Sequence, residues 1–308
     1  MPPMSGSHRH VIRASARVVA LPAPALVLGA IVSVQFGAAV AAGLIRELGP
    51  VLAVTIRLDV AALMLLALAR PSLRGRTRRD WAAMALLGLS LAAMNTAFYQ
   101  AIARLPLGVV TTIEFLGPLG LAAAASRRPR DILAVVVALA GVVAVSGALT
   151  TSWVGLDAVG FAFTIAAAVC WAAYILSTRA VGKRWRQLDG LAVAMGLAAV
   201  LVTPLGIASV RHVSVSAEEL GAGALIGILS SVVPYSLELL ALRRIEARVF
   251  GILLSLDPAV AALAGLLVLG QRLAAPQVVG IALVVAASGL VMAAQLQMHD
   301  DGTAAEIG

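Results

Sequence analysis

The chain reads as an all-α integral membrane protein: ten transmembrane helices in two inverted five-helix repeats, with both termini cytoplasmic. Three observations predict this. Hydrophobic residues make up 61% of the 308 positions and charged residues 12%, about half the charged share of a soluble domain. The apolar residues fall in continuous runs, each near the roughly 20 residues that a spanning helix needs, and they do not alternate as barrel strands would. The cationic side chains gather on alternate loops.

In chain order, residues 1–20 are polar and basic and are expected to form a disordered cytoplasmic tail. Apolar runs then fall near 24–45, 50–69, 81–101, 105–125, 132–149, 155–178, 188–210, 219–242, 248–269 and 275–296. Residues 1–43 have the arginines, apolar run and small residues of a secretory signal. Their run is longer than the roughly 7–15 residues of a signal core, and further runs follow it, so it is read as the first span. Residues 21–150 and 151–297 are the two repeats, and 298–308 a second cytoplasmic tail.

Charge placement sets the orientation. Arg9, Arg13 and Arg17 precede the first run. Arg70, Arg74, Arg76, Arg78 and Arg79 lie between the second and third, and Arg127, Arg128 and Arg130 between the fourth and fifth. Arg179, Lys183, Arg184 and Arg186 follow the sixth, and Arg243, Arg244 and Arg248 follow the eighth. The opposite side holds only Arg46, Arg104, Arg211 and Arg272. Cationic loops stay inside, so the net charge of +8 is a topology signal. No basic domain is left for nucleic acid.

The repeat rests on an offset of 140 residues, which pairs Pro118 with Pro258, Leu105 with Ile245, Arg104 with Arg244 and Val109 with Val249. Each copy carries one acid just before its proline, Glu114 and Asp257. Five spans are an odd number, so a second copy is inverted, as in many secondary transporters with a midplane site between their halves. The alternative is chance similarity between two alanine-rich segments.

A charge at the bilayer centre costs about 2.5–3.5 kcal/mol or more, so each one asks for a reason. Glu114 lies roughly 13 Å into the fourth span, and Asp257 is similarly deep in the ninth. A carboxyl that exchanges a proton is suited to coupling proton movement to substrate movement, and a structural pair with arginine or a hydroxyl is the alternative. Arg57 and Asp59, two apart in the second span, do not face each other. Arg57 has three readings: a partner of Glu114, a clamp for a substrate carboxylate, or a structural tie. Asn95 and Tyr99 share one face of the third span beside Gln100, suited to a polar small molecule or to interhelical hydrogen bonds. Gln35 and Tyr174 are weaker cases of the same kind. In the eighth span, Pro234 removes a backbone donor and frees carbonyls, which need a partner or a cavity. Tyr235 sits beside it. Glu238, near Arg243 and Arg244, is expected to snorkel or pair there. Pro118, Pro234 and Pro258 are the expected helix breaks. Small residues such as Gly37, Ala38, Ala41, Ala166, Ala167, Cys170, Ala261 and Gly265 let helices approach closely.

Cys170 is the only cysteine, so no internal disulfide or cysteine metal site is expected. There is no phosphate-binding glycine loop before a lysine, no His/Glu metal pair and no serine elbow. Neither cofactor nor metal is expected, and no catalytic residues.

Several segments resemble the EamA-type branch of the drug/metabolite transporter superfamily. They are Met94-Asn95-Thr96-Ala97-Phe98-Tyr99-Gln100-Ala101-Ile102, Leu105-Pro106-Leu107-Gly108, Glu114-Phe115-Leu116-Gly117-Pro118-Leu119 and Ser126-Arg127-Arg128-Pro129. Later come Cys170-Trp171-Ala172-Ala173-Tyr174, 230–245 and 250–258. The resemblance implies ten helices in inverted repeats and proton-driven export of small metabolites across the bacterial cytoplasmic membrane, with amino acids such as threonine and homoserine as the substrate class. Asp257 departs from the pattern, standing where glutamate is expected, one methylene shorter. The partners implied are a small-molecule substrate, protons and the lipid bilayer, and the protein is a monomer or a homodimer. Glu114 and Asp257 are the residues expected to couple protons or recognise an amine. Arg57, Asn95, Tyr99 and Tyr235 are expected to contact substrate. A broad drug exporter of the same fold is the nearest rival, against which scarce aromatics (4%) argue. A membrane-embedded enzyme would gather polar groups near one interface, whereas these acids lie at mid-depth. A scaffold or sensor would need a long loop, and the spans leave none.

Overall fold

A computed structural model of the chain describes residues 21–126, 128–149, 151, 155–209, 215–269 and 273–307. The basic tail to residue 20, Arg127, Arg211 and Arg272 lie outside these. Among the described residues every regular element is helical: α1 Ala23–Ala69, α2 Arg78–Ile102, α3 Leu107–Glu114, α4 Leu116–Ala125, α5 Pro129–Val145, α6 Ala158–Arg184, α7 Asp189–Ser209, α8 Ala217–Gly227, α9 Val233–Leu242, α10 Ala247–Leu254, α11 Asp257–Leu269 and α12 Ala275–Ile307. A π-helical turn, Ile228–Val232, joins α8 to α9.

Among the described residues, seven segments are long and apolar enough to cross a membrane: Gly43–Ala69, Arg78–Ile102, Leu107–Ala125, Ala158–Arg184, Asp189–Ser209, Ala217–Leu242 and Ala275–Met292. The ten apolar runs of the sequence differ from these seven at three places. The first run is fused to the second in α1, kinked at Gly49 (φ 77°) just before Pro50, and its helical part Ala23–Ala38 is short. α5 has 17 residues. The run at 248–269 is divided into α10 and α11. The outer surface is apolar, with Leu63, Val169, Val200 and Ile207 each at least 64% exposed. Such a surface asks for lipid around it. α12 continues through the expected tail to Ile307.

Local chemistry sets the helix ends. Thr77 and Asp80 form a capping box at the start of α2, and Ser216 and Glu219 form another at the start of α8. Each cap contributes about 1 kcal/mol. The two helices that these boxes open end at Ile102 and Leu242. The caps are 139 positions apart and the ends 140, so the second helix is longer by one residue. The π turn takes it up, since an i→i+5 turn holds one residue more than an i→i+4 turn.

Two further helices are interrupted at matching places. The fourth run breaks at Phe115, between α3 and α4, and the ninth at Ser255–Leu256, between α10 and α11. The breaks lie upstream of Pro118 and Pro258, where the missing N–H and the ring disturb the carbonyl four residues back. They leave Glu114 as the last residue of α3 and Asp257 as the first of α11.

Packing brings these pieces to the middle. α1 lies against α7, α8, α9 and the π turn, while α2 packs on α6 and α7. α4 packs on α10, where a Cβ at Gly251 would stand 2.6 Å from the carbonyl oxygen of Pro118. Gly37 of α1 has no room for a side chain either: a Cβ would lie 2.0 Å from Ser230 Oγ. At the end rich in basic loops, the Arg76 guanidinium sits 4.1 Å over the Trp185 ring and 3.7 Å from Asp189. Arg184 reaches Asp80 at 3.5 Å, so these cations also tie loops together.

Candidate functional site

A cavity of about 480 Å³ opens among α1, α2, α3 and α11. Its polar lining includes Gln35, Arg57, Tyr99, Thr111, Ser230 and Asp257, and its walls are otherwise mainly aliphatic. Leu107, Gly108 and Thr111 of α3 and Pro258, Ala261 and Ala262 of α11 line it.

Arg57 is the centre of the polar cluster. It is 9% exposed. Its Nε donates to Ser231 Oγ (2.8 Å), and its Nη2 donates to the Ser230 carbonyl and to Tyr235 Oη (3.3 Å). Its Nη1 donates to Tyr99 Oη at 3.4 Å, and the guanidinium carbon lies 5.8 Å from the Tyr99 ring centre. Asn95 donates through Nδ2 to Tyr235 Oη (3.1 Å) and to the Leu91 carbonyl (2.8 Å). The four residues that the sequence offered for substrate contact therefore meet in one hydrogen-bonded group.

The π turn explains why Arg57 finds acceptors there. Val233 N–H bonds to the Ile228 carbonyl, five residues back. That leaves the Leu229 carbonyl, which accepts from Ser33 Oγ at 2.6 Å. Pro234 has no N–H to give the Ser230 carbonyl, and Arg57 takes it instead. The helix is widened at 228–232 rather than broken at Pro234.

Among the described residues no carboxylate lies within ion-pair distance of Arg57, whose hydrogen-bond acceptors are all neutral. Asp257 is half-buried and accepts from Gln35 Nε2 at 2.9 Å. No cation pairs with it among the described residues. Glu114 is 8% exposed and lies within electrostatic reach of both Arg57 and Asp257, with no hydrogen bond to either. It is not among the residues that line the cavity. Asp59 points elsewhere, accepting from Thr203 Oγ1 at 2.7 Å. Gln100 also turns away, its Oε1 accepting from Arg104 Nη1 at 2.5 Å.

One sequence expectation is corrected. Glu238 does not snorkel to the basic loop. It is 7% exposed and accepts from Tyr174 Oη at 2.6 Å. Arg243 is turned to the carbonyls of Gly182, Trp185 and Gln187. Ser230 and Ser231 also belong to the cluster, and their placement depends on the π turn. A run of two serines one turn before a proline was the available signal.

Chemically, the cavity offers a cation and an anion that are not paired with each other, set in apolar walls. Buried charges are costly unless compensated, so a ligand that brings one charge of each sign fits this lining better than a neutral one.

Comparison with known proteins agrees with this framework. Residues 158–293 match the family described as EamA-like transporter family. The chain is 34% identical over 263 residues to "Threonine/homoserine exporter RhtA" of Salmonella typhimurium, covering 85% of this chain and 88% of that protein. It is equally similar, over the same shares, to the protein of that name from Escherichia coli strain K12. A solved crystal structure superposes with a TM-score of 0.75 at 19% identity, over 90% of this chain and 98% of its own.

Proposed function

The chain belongs to the EamA-like transporter family, and from that premise we propose that it exports small zwitterionic metabolites, amino acids such as threonine and homoserine, by proton antiport. It is a multi-pass protein of the cytoplasmic membrane. The observation that carries the substrate reading is the cavity itself, where Arg57 and Asp257 stand unpaired. Arg57 receives the carboxylate and Asp257 the ammonium, while Tyr99 and Tyr235 hold the guanidinium and Asn95 fixes Tyr235. Glu114 and Asp257 exchange protons for substrate. The relatives' names support the same substrate class.

Ten spans in two inverted repeats, 21–150 and 151–297, with both termini inside, give the mechanism. On that topology the cavity opens outward. α3 and α11 stand across it, while the inner half-helices α4 and α10 are packed together at Gly251 and Pro118. Alternating access exchanges these two arrangements. Exchange by the 140-residue offset turns the contact of Gly251 with Pro118 and Ala122 into one of Thr111 with Pro258 and Ala262. The inward-open state therefore closes Thr111 onto Ala262.

This gives a direct test. The Cβ position at Gly251 lies 3.6 Å from Ala122 Cβ, within the range that a disulfide bridges. By symmetry, Thr111→Cys with Ala262→Cys, in a Cys170→Ala background, is expected to crosslink when cytoplasmic substrate is supplied. The crosslink should stop transport until a reductant is added. Accessible thiols that never crosslink under any substrate or proton gradient would contradict the exchange.

A further inference from the structure

We infer that Glu238 is a third proton-carrying carboxyl, placed on the sealed side of the Arg57 cluster and joined to it by the Tyr174–Tyr235 pair. The inference rests on the antiport reading above for its role, though not for its geometry.

Glu238 is buried in a bundle that supplies it one hydrogen bond, from Tyr174 of α6. A permanently ionised carboxylate in such a place would need a cation or several donors. Neither is present among the described residues. Arg243, one turn further along, is committed to three carbonyls. The titratable groups facing Glu238 are Tyr174 from α6, Tyr235 from the preceding turn of α9, and Asp257 within electrostatic reach on α11. From α1, Arg57 reaches Tyr235. α7 and α10 also meet α9, and no ion pair from either reaches Glu238.

The link to the cavity is physical. Tyr174 is fully buried, and its ring centre lies 5.4 Å from that of Tyr235. Tyr235 Oη is shared by Arg57 and Asn95. Tyr235 and Glu238 are three residues apart and so share a helix face. The Tyr174 O–H donates to a Glu238 oxygen, and the ionised acid is the stronger acceptor of its two protonation states. When Glu238 binds one proton, one oxygen becomes a donor and the acid a weaker acceptor, which loosens its hold on the Tyr174 hydroxyl. The phenol ring against Tyr235 is then freed to shift, and with it a ligand of Arg57. One proton bound from the outer side and one released to the cytoplasm per cycle closes the balance.

Infrared difference spectra of the purified full-length protein in lipid, recorded across a pH titration without substrate, read the group directly. A carboxyl band that titrates in the unaltered protein is expected to vanish in Glu238→Gln and to shift in Tyr174→Phe, which keeps the acid and removes the donor. Proteoliposomes supply the second reading. Gradient-driven threonine accumulation should be lost in Glu238→Gln, and its pH profile displaced in Tyr174→Phe. Unchanged infrared bands in Glu238→Gln would overturn the inference whether or not threonine is transported. A chain that shows the titrating band but moves no amino acid would overturn the substrate reading and leave the proton site standing.

Discussion

Glu114→Gln should abolish gradient-driven export, bringing accumulation down to that of vesicles lacking the protein, with insertion into the membrane unchanged. Glutamine keeps the volume of glutamate and cannot carry a proton. Glu114 makes no hydrogen bond among the described residues, so no partner is stranded when its charge is removed. Its place is what matters: the last residue of α3, where the helix breaks, within electrostatic reach of Arg57 and Asp257. A proton on Glu114 leaves the Arg57 charge unopposed and ready for a carboxylate, and the ionised acid competes with that carboxylate. Export measured alongside membrane content checks this. Normal export by Glu114→Gln would remove Glu114 from the mechanism.

The second large effect falls on Arg57. Charge-assisted hydrogen bonds are worth about 1.5–3 kcal/mol each, so loss of the carboxylate contact should weaken substrate binding by roughly 10- to 100-fold. Arg57 also fastens the π turn through Ser230 and Ser231, and Arg57→Ala would strand those acceptors. Arg57→Lys separates the two roles. It keeps the cation but cannot span Ser231, Ser230, Tyr99 and Tyr235 from one planar fork, so it should fold and retain partial transport with a raised KM. Competition experiments check the chemistry: the methyl ester and the decarboxylated amine of threonine should compete poorly with labelled threonine in the unaltered protein. They should gain relative to threonine in Arg57→Lys. An ester that competes as well as the free acid would assign Arg57 to structure alone.

Much of this arrangement was legible in the sequence because membranes impose strong rules. Helical class follows from run length. Arg57, Asn95, Tyr99 and Tyr235 stood out because polar groups in apolar runs need partners, and the structure brings them into one cluster. What could not be read was which partner each would take. Arg57 had three readings, and its acceptors are set by the π turn at Ile228–Val232. Glu238 was misplaced for a similar reason. Its distance along the chain to Arg243 suggested a surface pair, but the α9 face on which it lies looks toward Tyr174. The division of the ninth run at Ser255–Leu256 was signalled by Pro258 only approximately, because a proline disturbs the turn before it.

The central claim is that the cavity between α3 and α11 moves a zwitterionic amino acid out of the cell at the expense of a proton gradient. Inverted membrane vesicles turn export into uptake and test it most directly. Labelled threonine and homoserine should accumulate when an inward-directed substrate supply meets an imposed proton gradient, and collapse of that gradient should release them. Absence of accumulation of either compound, with the protein shown to be inserted and the gradient shown to be present, would contradict the account.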